Sequence, residues 1–376
     1  MDWEALRSDF PTLSRTTYLN TCSLGALSRQ SREAVVRFLD LWEEHGASAW
    51  YRIWLGEVQA TRERFARLIG AGPDEVAILP NASSALAVLS SATPASGNVV
   101  CAAMDFPTIP YQWMAKAGVD VRLAQSADGI RTPFEEYERL VDGETRWLAT
   151  SHVFYTSGAI QDVPRLARLA HERGAYFLLD AYQATGQLPT DVKALGVDAY
   201  VTGGLKWLLG GPGIAYVYVR RELHDALHPS IAGWFGHADQ FQFDTRALRR
   251  HADARRFEMG TPATAAVYAG GAGLEYVLRV RPERIRERMH ELTRELFERC
   301  HDAGYALATP EREDERAGIV MIRHPEPAKV VAALRERHNI VVDHRPGRVR
   351  VSAYFYNTSA EIQRFVEALR DVAPPP

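Results

Sequence analysis

A regular alternation of short apolar runs and amphipathic stretches between residues 75 and 219 restricts the fold more than any other feature of the chain. Segments 75–80, 98–102, 119–124, 146–151, 175–180, 198–202 and 214–219 have the length and composition of strands, while 107–117, 133–141 and 164–173 carry helical periodicity. Two longer helical segments, 28–44 and 52–69, come before them. Strands alternating with helices predict an α/β architecture: a mostly parallel central sheet covered by helices on both faces, with ligands at the carboxyl ends of the strands. Beyond about residue 225 the rhythm changes. Segment 231–241 is loop-like and aromatic, helices are expected at 263–280 and 282–304, and the tail reads strand 318–323, helix 328–338, strands 340–342 and 348–353, and helix 360–373. Thr358 and Glu361 form a capping box at the start of that last helix. The expected division is a large domain over 18–255 and a smaller α+β domain made from 1–17 and 256–376.

The rule about strand ends can be applied to the residues themselves. Asp105-Phe106-Pro107-Thr108, Ser151-His152, Asp180-Ala181-Tyr182-Gln183 and Lys206 each follow a strand, so four loops on one edge of the sheet carry polar or aromatic groups. Lys206 sits in an apolar, glycine-rich stretch, and it is one of only four lysines among 44 basic side chains. An amine drawn out of water there loses proton affinity and becomes a nucleophile for Schiff-base chemistry; the other reading is a lysine that snorkels to solvent from a loop. Segment 81–89 turns into a helix whose first residues include Ser83 and Ser84, either a phosphate cradle at a helix start or an ordinary N-cap. Pyridoxal phosphate requires an amine, an acid facing its ring nitrogen, a phosphate cradle and an aromatic cover. Lys206, Asp180, Ser83 with Ser84, and Phe106 supply these in turn. Singly, Asp180 could be a helix cap and Phe106 a core residue; jointly they point to pyridoxal 5'-phosphate.

Composition narrows the partners. A formal net charge of −3, with arginines interspersed among acids, gives no electrostatic footprint for nucleic acid. No stretch approaches the roughly 18 apolar residues of a membrane span, and the N-terminus has no signal-peptide pattern. Cys22, Cys101 and Cys300 are too few and scattered for a disulfide framework or a metal cluster, which fits a reducing cytoplasm. A small-molecule substrate, with no metal, nucleic acid or membrane, is the expectation.

Nearly the whole chain resembles the class V aminotransferases of fold-type I, a family that includes cysteine desulfurases, kynureninases and isopenicillin N epimerase-like enzymes. Asp180-Ala181-Tyr182-Gln183-Ala184-Thr185-Gly186 is similar to the desulfurase Asp-x-x-Gln element, which implies that Gln183 bonds the 3-hydroxyl oxygen of the cofactor. Segments 205–213, 105–108, 233–237, 256–262 and 343–346 resemble their kynureninase counterparts. The resemblance implies that Thr261 reaches the phosphate in a neighbouring subunit, hence a homodimer with sites at the subunit interface, and that Arg350 binds the substrate α-carboxylate. A guanidinium suits that task; without the family, Arg350 would read as a solvated strand residue. The departures bear on the reaction. No cysteine lies in 341–349, which argues against desulfuration, and Leu205, Ile109 and Phe154 stand where kynureninases usually carry Tyr, Asp and Asn. The expectation is a kynureninase-like lyase that removes the Cα proton of another amino acid and cleaves or eliminates at Cβ. Transamination is the alternative, ahead of epimerisation or a non-catalytic module.

Overall fold

The computed structural model describes residues 1–375. Seven strands make the central sheet: β1 (Val76–Leu79), β2 (Asn98–Ala102), β3 (Asp120–Ala124), β4 (Thr145–Ser151), β5 (Tyr176–Asp180), β6 (Ala199–Gly203) and β7 (Ala215–Val219). Their order across the sheet is β1-β7-β6-β5-β4-β2-β3. All neighbours are parallel except β7, which runs antiparallel to both β1 and β6. The segment joining β6 to β7 folds as a loop with no helix in it, so β7 returns beside β6 as an antiparallel neighbour; a parallel return needs a crossover. Because β7 is reversed against both neighbours, β1 shares the direction of β2–β6. Its carboxyl end therefore lies on the same edge as theirs.

Alternating side chains explain why both faces are covered. In β5, Phe177 and Leu179 enter one core and Leu178 the other; in β2, Val100 and Ala102 oppose Val99 and Cys101. Helix Ala82–Ser91 closes one face with Ala85, Leu86 and Leu89. Helices Leu55–Leu68, Val163–Glu172 and Thr264–Val280 supply Phe65, Leu166 and Leu274 to the other. Each fully buried Leu, Val or Phe among them contributes about 1.5–3 kcal/mol of transfer free energy. Helix Thr264–Val280, beyond residue 255, also packs against Arg29–His45 and so meets the large-sheet core.

A second sheet has three antiparallel strands, β8 (Val320–Arg323), β9 (Asp343–Arg345) and β10 (Arg348–Val351), in the order β9-β10-β8. Its core is separate, built from residues such as Leu296, Ile322, Leu334, Val349 and Phe365. Strand β9 was not expected as a strand. It forms a hairpin with β10 through Pro346-Gly347, where Gly347 takes φ 71°, and this sets Asp343 directly opposite Arg350. Thr17–Tyr18 pairs in parallel with Ile340–Val341, joining the N-terminal segment to this region. The capping box of Thr358 and Glu361 forms as expected. The helix expected over 52–69 begins with a π-turn, Trp50–Trp54, which sinks Trp54 against Phe38 before the α-helix starts at Leu55. Among the described residues no helix is long and apolar enough to cross a membrane.

Candidate active site

The carboxyl ends of β1, β2, β4, β5 and β6 surround one cavity of about 250 Å³. Asn81, Ala82 and Ser83 line it after β1, Phe106 and Thr108 after β2, Ser151, Val153 and Tyr155 after β4, Asp180, Tyr182 and Gln183 after β5, and Leu205 and Lys206 after β6. The four loops singled out in the sequence thus converge, joined by the helix start at Ala82.

Local backbone geometry explains the position of Lys206. Gly25 lies against its carbonyl so closely that a Cβ there would stand 2.2 Å from the oxygen, and the Gly25 N–H donates to the Leu205 carbonyl at 3.0 Å. The Tyr182 hydroxyl fills the space that a side chain at Gly203 would need. The Lys206 amine faces the Tyr182 ring at 4.4 Å from its centroid and the Phe106 ring at 6.0 Å. It makes no hydrogen bond or ion pair among the described residues. Its pKa is pulled down to about 8, above all by burial; Cys22 and Asp180 work against that fall, and Arg350 and Arg345 add to it. The amine sits in the cavity and is not a snorkelling surface group.

Asp180 ends β5 and is almost completely buried. Burial pushes its carboxyl pKa up, against the Tyr182 N–H, which donates to Oδ1 at 2.8 Å, and against the charge of Lys206. Oδ2 accepts no bond within the described chain, so a buried acid is left with an open oxygen on the cavity. The His152 N–H donates to the Asp180 carbonyl at 2.8 Å and pins this strand end to β4. Burial holds the His152 imidazole at about 4, hence neutral, with Nδ1 unpartnered. Gln183 is oriented from both ends: its Nε2 donates to the Cys22 carbonyl at 3.0 Å, and its Oε1 accepts from Trp207 Nε1 at 2.9 Å. One N–H of the amide is left for a ligand acceptor.

Ser83 and Thr108 share a hydrogen bond of 2.6 Å, and each stands in the first turn of a helix, Ala82–Ser91 and Thr108–Met114. Hydroxyls and helix-start N–H groups therefore face the same end of the cavity. Ser84 does not line it; its N–H donates at 2.8 Å to the side chain of Asn81, the N-cap residue of this helix, so the serine belongs to an ordinary capped first turn and Thr108 stands beside Ser83 instead. Phe106 is 45% exposed and edge-on to Tyr155 at 5.2 Å, an open cover over the cavity and not a core residue. Asp105, just before it, is buried and accepts from the Ala102 N–H at 2.7 Å, the Ser151 N–H at 2.8 Å and the Thr150 hydroxyl at 3.0 Å. That carboxylate ties the loop bearing Phe106 to the end of β4.

Arg350 is 1% exposed, the reverse of a solvated strand residue. It reaches the cavity wall through the Tyr155 carbonyl at 3.4 Å without lining the cavity itself. Thr261 is exposed and away from the cavity of its own chain. Thr108 and Tyr182 lie in loops that the sequence reading singled out without giving these two residues roles of their own, and Tyr155 was given none either. Tyr182 carried a signal, an aromatic residue between the acid and the glutamine of the Asp-x-x-Gln element.

These observations fit pyridoxal phosphate: a free amine, a buried acid with an open oxygen, a spare amide N–H, paired hydroxyls at two helix starts and an aromatic cover. A family model described as Aminotransferase class-V matches residues 55–365. An uncharacterised aminotransferase of Bacillus subtilis, YcbU, is 35% identical over 368 residues, covering 97% of each chain. Kynureninase of Bacillus thuringiensis is 28% identical, with 97% of this chain and 90% of the relative covered. Among solved structures, a cysteine desulfurase from Thermococcus onnurineus superposes with TM-score 0.88 at 23% identity, covering 98% of this chain and 97% of that one. A cystine C–S lyase, C-DES, superposes with TM-score 0.88 at 19% identity, covering 97% and 100%. The fold is that of these enzymes, as the sequence reading expected.

Proposed function

This chain belongs to the class-V aminotransferase family, whose members depend on pyridoxal phosphate, and on that premise we propose that it removes the Cα proton of an amino acid and cleaves or eliminates at Cβ. Pyridoxal phosphate, when bound, supplies an aldehyde that condenses with amines and a ring that draws electrons from the bonds at Cα. Lys206 is the group to hold the cofactor and then, with its lowered pKa, to take the Cα proton. Asp180 keeps a proton at the pyridine nitrogen through its open oxygen. Gln183 donates its spare N–H to the ring oxygen, Ser83 and Thr108 with their helix starts hold the phosphate, and Phe106 covers the ring and keeps water out. Arg350 takes the substrate α-carboxylate. Thr261, exposed in its own chain, acts on the phosphate of a second copy in a homodimer, and the three buried thiols suit a cytoplasmic enzyme.

The observation that carries the reading is the unpaired Lys206 amine beside the open carboxylate of Asp180. The lean towards Cβ chemistry rests on Tyr155: its ring lines the cavity and its hydroxyl has no bond within the described chain, so it can give a proton to a departing group. Transamination is the second reading, favoured by the likeness to the Bacillus subtilis aminotransferase. Incubating the holoenzyme with a panel of amino acids, while assaying oxo acid, free ammonia and the pyridoxamine form of the cofactor, separates the two. Ammonia with oxo acid supports elimination; an alkyl or acyl product without either supports Cβ cleavage. Build-up of the pyridoxamine form without ammonia overturns the lyase.

A further inference from the structure

Three charged side chains meet beside the cavity in a ratio that constrains the substrate. Asp343 Oδ2 accepts from Arg345 Nη1 at 2.8 Å, from Arg350 Nη2 at 2.7 Å and from the Ser23 hydroxyl at 2.7 Å. The hairpin register makes Asp343 and Arg350 cross-strand partners, so the pair is built into the backbone. Burial works against ionisation of Asp343, but the Ser23 hydroxyl, the His344 N–H and the two guanidinium groups hold its carboxyl well below the ordinary range. Two permanent positive charges thus share one negative charge. Arg350 is buried to 1% and its Nε has no acceptor among the described residues. An orphaned N–H on a buried cation, with one positive charge unmatched, calls for one further anion.

The triad belongs to the same site as Lys206. Arg350 bonds the carbonyl of Tyr155, the guanidinium of Arg345 lies 5.7 Å from the Tyr155 ring, and that ring lines the cavity. The rest of the wall near it is Phe106, Val153, Tyr182 and Leu205, apolar or aromatic. Asp180, committed to the pyridine nitrogen, is the one carboxylate lining the cavity among the described residues, so a basic side chain finds no partner there.

We propose that Asp343 is a specificity-determining residue: by neutralising one of the two charges of Arg345 and Arg350, it restricts the site to amino acids with a single carboxylate and an uncharged side chain. The inference rests on the amino-acid reading above. In an enclosed site, a unit of charge is worth more than tenfold in affinity for a second carboxylate.

The test is spectral titration of the holoenzyme with alanine, leucine, aspartate and glutamate, in the wild type, Asp343→Asn and Arg345→Gln. The wild type should respond to the neutral amino acids at least tenfold more tightly than to the acidic ones. Asp343→Asn should shift that ratio at least tenfold towards aspartate and glutamate. Arg345→Gln, which leaves Arg350 and Asp343 balanced, should weaken alanine and leucine at least fivefold in the same spectral titration. An unchanged ratio in Asp343→Asn overturns the inference; if that variant fails to fold, unchanged affinity in Arg345→Gln does so. A wild type that favours the acidic amino acids also overturns it while leaving the broader reading intact. No response to any amino acid brings down both.

Discussion

The Lys206 amine faces the ring of Tyr182 at 4.4 Å, so the turn that carries the acid Asp180 also carries the aromatic wall beside that amine. A protonated amine would gain from that ring, yet burial, with Arg350 and Arg345 adding to it, brings the pKa down to about 8. Covalent attachment of pyridoxal phosphate to the apoprotein should therefore accelerate with pH and level off above about 8, where an ordinary lysine levels off near 10.4. Replacing Arg345 with Gln removes a nearby cation and should move the midpoint upward. The same shift acts on stability. Between about 8 and 10.4 the unfolded chain binds more protons at this residue than the folded one, so its cost to the apoprotein is full below about 8 and is relieved as pH rises through that window. Stopped-flow absorbance gives the first effect and denaturant titration the second; an attachment midpoint near 10 refutes the assignment.

Lys206→Ala should remove the visible absorbance of lysine-linked cofactor but not all binding of the cofactor. Asp180, Gln183 and the hydroxyls of Ser83 and Thr108 are left in place by the substitution. Dialysis followed by absorbance spectroscopy checks both halves. Persistence of the lysine-linked band would show that another of the four lysines is the anchor.

Asp105 acts one step away from the cavity. Removing its carboxylate leaves the N–H groups of Ala102 and Ser151 buried without acceptors, each at a cost of about 1–3 kcal/mol. Asp105→Ala should therefore destabilise the protein by about 2–6 kcal/mol in chemical denaturation and loosen the loop that carries Phe106. Weaker cofactor retention in a variant that is still folded would report the second effect. Unchanged stability would mean that water replaces the carboxylate.

What the sequence made legible follows from what is local. The period of the apolar runs encodes strand and helix, and the direction shared by β1–β6 places five loops on one edge, so Ser83, Phe106, Asp180, Gln183 and Lys206 could be grouped before any contact was known. The position of Ser84 goes with one hydrogen bond from its N–H to Asn81, which composition does not reveal, and the partner of Ser83, Thr108, comes from a helix 25 residues away. Strand β9 is three polar residues, Asp343, His344 and Arg345, with no apolar alternation, so its pairing with β10 was invisible. The charge balance of Asp343, Arg345 and Arg350 went unseen with it. Tyr182 was in plain view, but its importance lies in contacts with Gly203 and Lys206 that only the folded loops create.

Gly203 offers the sharpest test of that contact. Its φ is not positive, so the glycine is required by space and not by backbone conformation. A Cβ there would lie 2.3 Å from the Tyr182 hydroxyl and 2.5 Å from the ring carbon bearing it, inside any tolerable separation. The ring flanks Lys206 and lines the cavity, so a displacement of it is felt at both. Overpacking of this kind costs about 1–3 kcal/mol. Gly203→Ala should lower stability by that amount and disturb the environment of the bound cofactor, seen as a change in its visible circular dichroism. In a Tyr182→Ala background the same substitution has no ring to meet and should cost less than about 0.5 kcal/mol. A double-mutant cycle measures the difference directly. Equal costs in the two backgrounds would break the link drawn between Gly203 and Tyr182, and with it the claim that the tyrosine is wedged in place beside the Lys206 amine.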